Sequence, residues 1–238
     1  MEYIAHRGLS DEAPENTAAA FRLAHDRGFQ WCELDVNVSA DDIPVVWHDD
    51  KLKPFGHSVI VSKTPWSELR TLDMGSWFNH RFSDQLLMSL QEALDLIRDL
   101  GMAVNVELKP ELAERLSDTF SIKLANMLNT AAEQNHLLLS SFHPTMLNWC
   151  HQRCPDIPRA LLVEGRLLPA HQQLAELTEA EALHLDDDHL ELSSLNRLRD
   201  AGWTPRVYTV NSARRARQLA TAGCAGIFTD SLYPEEAG

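Results

Sequence analysis

The sequence predicts a (β/α)8 barrel with a β-hairpin after the second strand and a small inserted cap. Short β-branched or apolar runs alternate with longer segments of helical periodicity through most of the 238 residues. Eight such strand–helix units in this length suit a closed TIM barrel better than an open doubly wound sheet. Neither a GxGxxG nor a GxxxxGK[ST] motif is present, so the nucleotide-binding readings of an α/β chain lose support.

The elements follow in order. Tyr3–Ala5 reads as the first strand and runs into His6-Arg7-Gly8. Thr17–Arg27 is a helix, with Ala20, Leu23 and Ala24 at helical spacing, and Trp31–Val36 is the second strand. Ile43–Trp47 is a further strand, reached from Val36–Ser39 through Ala40-Asp41-Asp42. That link is too short for a parallel crossover, so the two segments must pair as a hairpin. Residues 50–85 then break the alternation and carry Phe55, Trp66, Trp77, Phe78 and Phe82. A linker would not hold so many aromatics, so this stretch reads as an inserted cap.

The alternation resumes with helix Ser89–Leu100 and strand Ala103–Leu108. Helix Leu112–Gln134, strand Leu137–Ser141, helix Pro144–Arg153 and strand Arg159–Val163 follow. Strand Ala182–Leu185, helix Glu191–Ala201, strand Arg206–Val210, helix Ser212–Ala222 and strand Gly226–Thr229 complete the pattern. Gly28, Gly101, Gly202 and Gly223 each end a helical run, where a left-handed residue is expected. The whole chain, 1–238, is expected to be one barrel domain.

Composition narrows the partners. Lys plus Arg is 21 against 35 for Asp plus Glu, a formal charge of −14. Such a body repels nucleic acid and anionic membranes over long range, but a local basic pocket for a phosphate-bearing small molecule is compatible with it. No run approaches the ~18 apolar residues of a membrane span, so no stable membrane association is expected. Met1–Ala5 leads directly into the first motif without a basic then apolar leader, and the four cysteines form no disulfide framework. The expectation is a cytoplasmic protein; nothing in the sequence speaks to its oligomeric state.

Catalytic residues of such barrels gather at the carboxyl ends of the strands. Those ends here carry His6-Arg7, Glu33 with Asp35, His48-Asp49, and Glu107 with Lys109. Residues two apart on a strand share a face, so Glu33 and Asp35 point together, as do Glu107 and Lys109. Three carboxylates aimed into a barrel repel one another and resist desolvation, and a hard cation removes that conflict. With waters they suit Mg²⁺, or Ca²⁺ or Mn²⁺. Two imidazoles, two cations and a metal-binding carboxylate trio together suit phosphoryl chemistry.

The runs His6-Arg7-Gly8, Pro14-Glu15-Asn16-Thr17, Glu33-Leu34-Asp35-Val36, Pro44 to Asp49 and Glu107-Leu108-Lys109 resemble the glycerophosphodiester phosphodiesterase family. Leu139 to Phe142, Tyr208 to Asn211 and Gly226 to Asp230 are similar to that family's remaining strands, and Met74 to Phe78 to its bacterial cytoplasmic branch. The resemblance implies metal-dependent hydrolysis of a small phosphodiester to glycerol 3-phosphate and an alcohol such as choline, ethanolamine or glycerol. It implies that Glu33, Asp35 and Glu107 bind the metal, Mg²⁺ foremost. His6 and His48 would then be the acid–base pair. Arg7 and Lys109 would hold the phosphate, and Glu15 would orient Arg7 or a metal-bound water. Two features depart from the family's pattern: Lys51 to Gly56 replaces an Arg-Thr-containing turn, and Tyr208 stands where Trp is common.

The cap follows His48 and is therefore expected over the site's mouth, with Trp77 and Phe78 walling the glycerol side and the alcohol facing water. Rival readings are a phospholipase on lysophospholipids or inositol lipids, and a barrel that binds phosphodiesters without cleaving them. His143, Cys150, His151 and Cys154 lack paired zinc-ligand spacing and read as ordinary helix residues. Asp186-Asp187-Asp188 reads as a solvated loop with a helix cap, and Arg214 to Arg217 as a solvated helix face.

Overall fold

The computed structural model of the protein describes residues 1–52 and 59–234. Its strands are β1 (Glu2–Ala5), β2 (Trp31–Val38), β3 (Pro44–Val46), β4 (Ala103–Leu108), β5 (Leu137–Ser141), β6 (Arg159–Val163), β7 (Ala182–Asp186), β8 (Thr204–Tyr208) and β9 (Gly226–Thr229). They run in the order β1-β9-β8-β7-β6-β5-β4-β2-β3, and β1 also pairs with β2. That last pairing closes a barrel of parallel strands, leaving β3 antiparallel on β2, with Val36 opposite Val46. The hairpin read from the short Ala40–Asp42 link is therefore present.

Helices α1 (Ala18–Asp26), α2 (Trp66–Leu69), α3 (Leu90–Asp99), α4 (Asp118–Gln134), α5 (Pro144–Arg153), α6 (Pro169–Leu177), α7 (Leu192–Asp200) and α8 (Ala213–Thr221) complete the order. Seven of them, all but the single-turn α2, cover the outside of the barrel. β2 and β4 are buried on both faces, yet apolar residues alternate along them with Glu33, Asp35, Asn37, Asn105 and Glu107, so one face is apolar and the other polar. Cys32, Leu34 and Val36 face the helices in one large apolar cluster, together with Phe21, Ile97 and Leu128. Leu161, Leu183, Val207 and Ile227 do the same in a second, against Leu195, Leu198 and Leu219. The alternate residues of each strand fill the interior.

Caps set the helix starts. Thr17 accepts the Ala20 N–H at the head of α1, and Ser89 with Glu92 forms a reciprocal capping box on α3. The single helix expected over Leu112–Gln134 is instead a 3-10 segment, Pro110–Arg115, followed by α4. Ser117 divides them, because its hydroxyl accepts the Phe120 N–H and starts a new helix. The strand expected at Arg206–Val210 runs two residues earlier, since its ladder with β7 aligns Ala182 with Thr204 and Asp186 with Tyr208. Pro205 looks like a break locally, but its carbonyl accepts the Ala225 N–H within the sheet. Helix α6 has no counterpart in the sequence reading: Ala175 is its one fully buried side chain, and Leu177 is 78% exposed.

The insertion also differs from expectation. Val61, Leu69, Met74 and Leu87 form a small core with Val45, Trp47 and Leu52. The inserted residues thus pack on the hairpin strand, at the flank of the barrel. Phe55 lies outside the described residues. No helix among the described residues is long and apolar enough to cross a membrane.

Candidate active site

The end of β1 turns sharply where it meets β2. Arg7 and Gly8 both have positive φ, 58° and 78°. A Cβ on Gly8 would lie 2.6 Å from that of Ala20, so only glycine lets α1 approach the strand end. In this conformation the Arg7 N–H donates to Glu33 Oε2 at 2.9 Å. The Arg7 guanidinium meets Glu15 at 2.7 Å and Asp35 at 3.1 Å. Asn16 Nδ2 also donates to Asp35, at 2.9 Å. From β4, the Lys109 ammonium reaches Asp35 at 2.8 Å and pairs with Glu107.

Glu33, Asp35 and Glu107 are buried, and each places a carboxylate oxygen within 4.8 Å of the others. Among the described residues they are the one cluster of three or more side chains able to hold a metal. Burial, then the charges of Asp35 and Glu107, push the Glu33 carboxyl well above the usual range. Burial and Asp35 raise Glu107 likewise. Asp35 is as deeply buried, yet Lys109 and Arg7 outweigh that burial and hold it low. Glu33 Oε1 is buried with no hydrogen-bond partner. With Glu15 on Arg7, four carboxylates stand against two cations. The unmet oxygen and this excess of negative charge fit a divalent ion.

Each histidine leans on a carboxylate through Nδ1. His6 meets Asp230 at 2.8 Å and His48 meets Asp49 at 2.8 Å. Asp230 is the more firmly built: Ser10 Oγ and Asn211 Nδ2 donate to it at 2.9 and 2.7 Å, and Asn211 Oδ1 accepts its N–H. Burial alone would raise the Asp230 carboxyl, but the bond and charge of His6 bring it down to about 2. In both pairs Nε2 is the ring nitrogen left for a substrate.

A cavity of about 250 Å³ joins these groups. His6, Arg7, Glu33, His48 and Glu107 line it, while Asp35, Lys109 and Glu15 stand behind them. Trp77 is not among its walls. That side chain is 43% exposed, donates to the Met74 carbonyl and packs edge-on against Phe78. Among the described residues, none from 50–85 lines the cavity. The described part of the insertion closes an apolar core of its own against β3. The opposite wall is Phe142, Leu162, Tyr208, Thr209 and Phe228. Sequence reading singled out Tyr208 but gave no wall role to the others, although inward alternation along β5 to β9 was the signal that marks them. It also missed Asn105, which lines the cavity, donates to Ser140 Oγ and leaves its buried Oδ1 without a partner.

The decoys resolve simply. Cys150 and Cys154 are fully buried helix-end residues, and burial pushes the Cys154 thiol up to about 11. Asp186 accepts the N–H groups of Gly165 and Asp188, and Asp187 pairs with Arg215.

Comparison with known proteins gives the family and the fold. Residues 6–233 match the glycerophosphoryl diester phosphodiesterase family. A phosphodiesterase from Oleispira antarctica, solved in complex with the product sn-glycerol-3-phosphate, is 31% identical with a TM-score of 0.87, over 100% of this chain and 95% of that one. A glycerophosphodiester phosphodiesterase from Agrobacterium tumefaciens is 26% identical with a TM-score of 0.79, over 100% and 98% of the two chains. The glycerophosphodiester phosphodiesterase of Caldanaerobacter subterraneus is 29% identical over 229 residues, 95% of this chain and 93% of the relative. The barrel, its ring of strand-end residues and these likenesses have one reading: the chain belongs to the glycerophosphoryl diester phosphodiesterase family.

Proposed function

We propose that the protein hydrolyses glycerophosphodiesters to glycerol 3-phosphate and an alcohol, with His6 and His48 as the acid–base pair. The observation that supports this most directly is the cavity that joins both imidazoles, Arg7, Glu33 and Glu107. Glu33, Asp35 and Glu107 would hold a divalent ion, Mg²⁺ foremost, with Ca²⁺ or Mn²⁺ as alternatives. When bound it supplies positive charge opposite a non-bridging phosphate oxygen.

The chain's own groups account for the rest. Arg7, anchored on carboxylates at the cavity wall, would meet developing phosphorane charge without reorganising, and Lys109 would add its charge from behind that wall. Each histidine, held at Nδ1 by a carboxylate, turns Nε2 inward. One takes the proton of the nucleophile, and the other gives a proton to the leaving alkoxide. Direct attack by water and attack by the neighbouring glycerol hydroxyl use the same two groups. The retention of every one of these residues argues against a barrel that only binds. The insertion at 50–85 acts in this reading as a buttress for the hairpin that presents His48, within one barrel domain.

The test is hydrolysis of glycerophosphocholine, coupled to detection of glycerol 3-phosphate, in chelated enzyme and after return of Mg²⁺, Mn²⁺ or Ca²⁺. Activity is expected only with added ion. His6→Ala and His48→Ala should each lower kcat by at least ~10²-fold, and together far less than additively. A nitrophenol leaving group should rescue only the variant lacking the acid. Full turnover by the chelated enzyme rejects the metal role.

A further inference from the structure

We propose that Phe142, Tyr208 and Glu164 form the seat of the departing alcohol, and that this seat selects a cationic alcohol over a neutral polyol. The inference rests on the phosphodiesterase reading above and adds the class of substrate to it.

Parallel pairing puts Glu164 level with Tyr208 on the same rim, two positions above the level of Phe142. Ser140 on β5 lies opposite Ala160 on β6, Val163 opposite Leu185 on β7, and Asp186 opposite Tyr208 on β8. Phe142 and Glu164 are the next inward positions beyond the ends of β5 and β6. Phe142 and Tyr208 line the cavity and meet edge to face, their ring centres 6.0 Å apart. The Tyr208 hydroxyl donates to the Val163 carbonyl at 2.7 Å, which fixes that ring's pose. Phe142 is 38% exposed, an unusual position for a large apolar ring unless something else is to cover it.

Glu164 follows β6 at the same rim, is exposed, and makes no hydrogen bond or ion pair among the described residues. Its charge reaches Tyr208: burial first, then Asp186, Glu107 and Glu164, push the Tyr208 hydroxyl up. Aromatic rings beside an unpaired carboxylate attract an ammonium group, above all a methylated one that water solvates weakly. They offer little to a polyol, whose hydroxyls would lose water without gaining partners.

The other wall fits the other half of the substrate. Asn105 Oδ1 is a buried acceptor without a donor, and glycerol carries hydroxyl donors. With the phosphate held at Arg7 and the histidines, glycerol faces Asn105 and the alcohol faces Phe142. Overall charge adds to this. An ester of a cationic alcohol has no net charge, whereas a polyol ester is an anion that approaches a body of −14.

The experiment compares kcat/KM for glycerophosphocholine, glycerophosphoethanolamine and glycerophosphoglycerol on wild type, Phe142→Leu and Glu164→Gln. The choline ester should exceed the glycerol ester by roughly tenfold, the scale of a partly desolvated cation–π contact. Each substitution should lower that ratio by about threefold or more, chiefly through KM. A wild-type ratio near one overturns the proposal. So does an equal loss on all three esters in Phe142→Leu, which would put the shared glycerol on the aromatic wall. In parallel, tetramethylammonium is titrated into the glycerol 3-phosphate complex and followed by NMR. Weaker binding in Phe142→Leu supports the seat, and equal binding refutes it. If wild type cleaves none of the esters, the phosphodiesterase reading itself falls; cleavage of all three alike removes only the cation preference.

Discussion

The two halves of the barrel's upper rim share one geometry and differ in chemistry. On β1, β2 and β4 the inward positions are His6, Glu33, Asp35, Glu107 and Lys109. On β5, β6, β8 and β9 they include Phe142, Leu162, Tyr208 and Phe228. The second half carries no buried charge on these positions, and only Phe142 among its rings is left exposed. The first half buries three carboxylates whose mutual repulsion Arg7 and Lys109 offset only in part. A site built to bind a cation and then an anion, as proposed above, would be incomplete without them. The contrast shows where this fold gives up stability for chemistry.

The strongest way to break the contrast is to remove one repelling charge. Glu33→Gln keeps the shape and deletes the carboxylate with an unmet oxygen. Activity should fall at least ~10³-fold, the scale of losing a centre of electrostatic stabilisation. The metal-free variant should nevertheless melt higher than metal-free wild type, by roughly 2–4 °C for ~1 kcal/mol in a chain of this size. Added Mg²⁺ should raise the melting temperature of wild type much more than that of the variant. A variant less stable than the metal-free parent would show that Arg7 and Lys109 already satisfy the trio.

Asp230→Asn sharpens the comparison within the polar half, because it removes a support and not a reacting group. His6 would lose the charged acceptor that steadies its imidazolium, and the amide NH2 would face either His6 or the donating Asn211 Nδ2; kcat should fall by roughly tenfold, with KM little changed. The sign of the pH effect follows from the carboxyl's position near 2, below its unfolded range of about 4. A depressed carboxyl adds stability that is fully present above about pH 4 and is lost as pH falls toward 2. Acid unfolding of wild type should therefore steepen in that window, and the variant should lack this component. Identical acid limbs would mean that Asp230 gains nothing from His6.

The smallest effect is expected outside both halves. Trp77→Ala removes an edge-on contact with Phe78 and a hydrogen bond to Met74, at a side chain that does not line the cavity. The melting temperature should drop by a few degrees, about 1–2 kcal/mol for a half-buried ring, while kcat/KM stays within about twofold. A large rise in KM would return the insertion to the mouth of the site.

Much of the site was legible in the chain because it depends on short-range periodicity. Glu33 with Asp35, and Glu107 with Lys109, share a face by the two-residue repeat, and charged residues at strand ends stand out against apolar runs. His6 and His48 stood out in the same way. The aromatic wall was harder to see. Phe142, Leu162 and Phe228 look like core residues in any local window, and only the closing of the sheet turns them toward the same cavity. Asp230 lies 224 positions from His6, and no local pattern joins them. The place of Trp77 was not legible for the converse reason: chain proximity to His48 says nothing about which surface an insertion with its own apolar core will choose.

By itself the sequence determined the alternation, the hairpin, the barrel class and the ring of strand-end groups, since each follows from residue spacing along a strand or helix. Tertiary structure alone decided which carboxylate supports which histidine, which rings wall the cavity and where the insertion rests. Those depend on closing β1 against β2 and β9, a pairing between segments far apart in the chain, and on the burial that closure imposes.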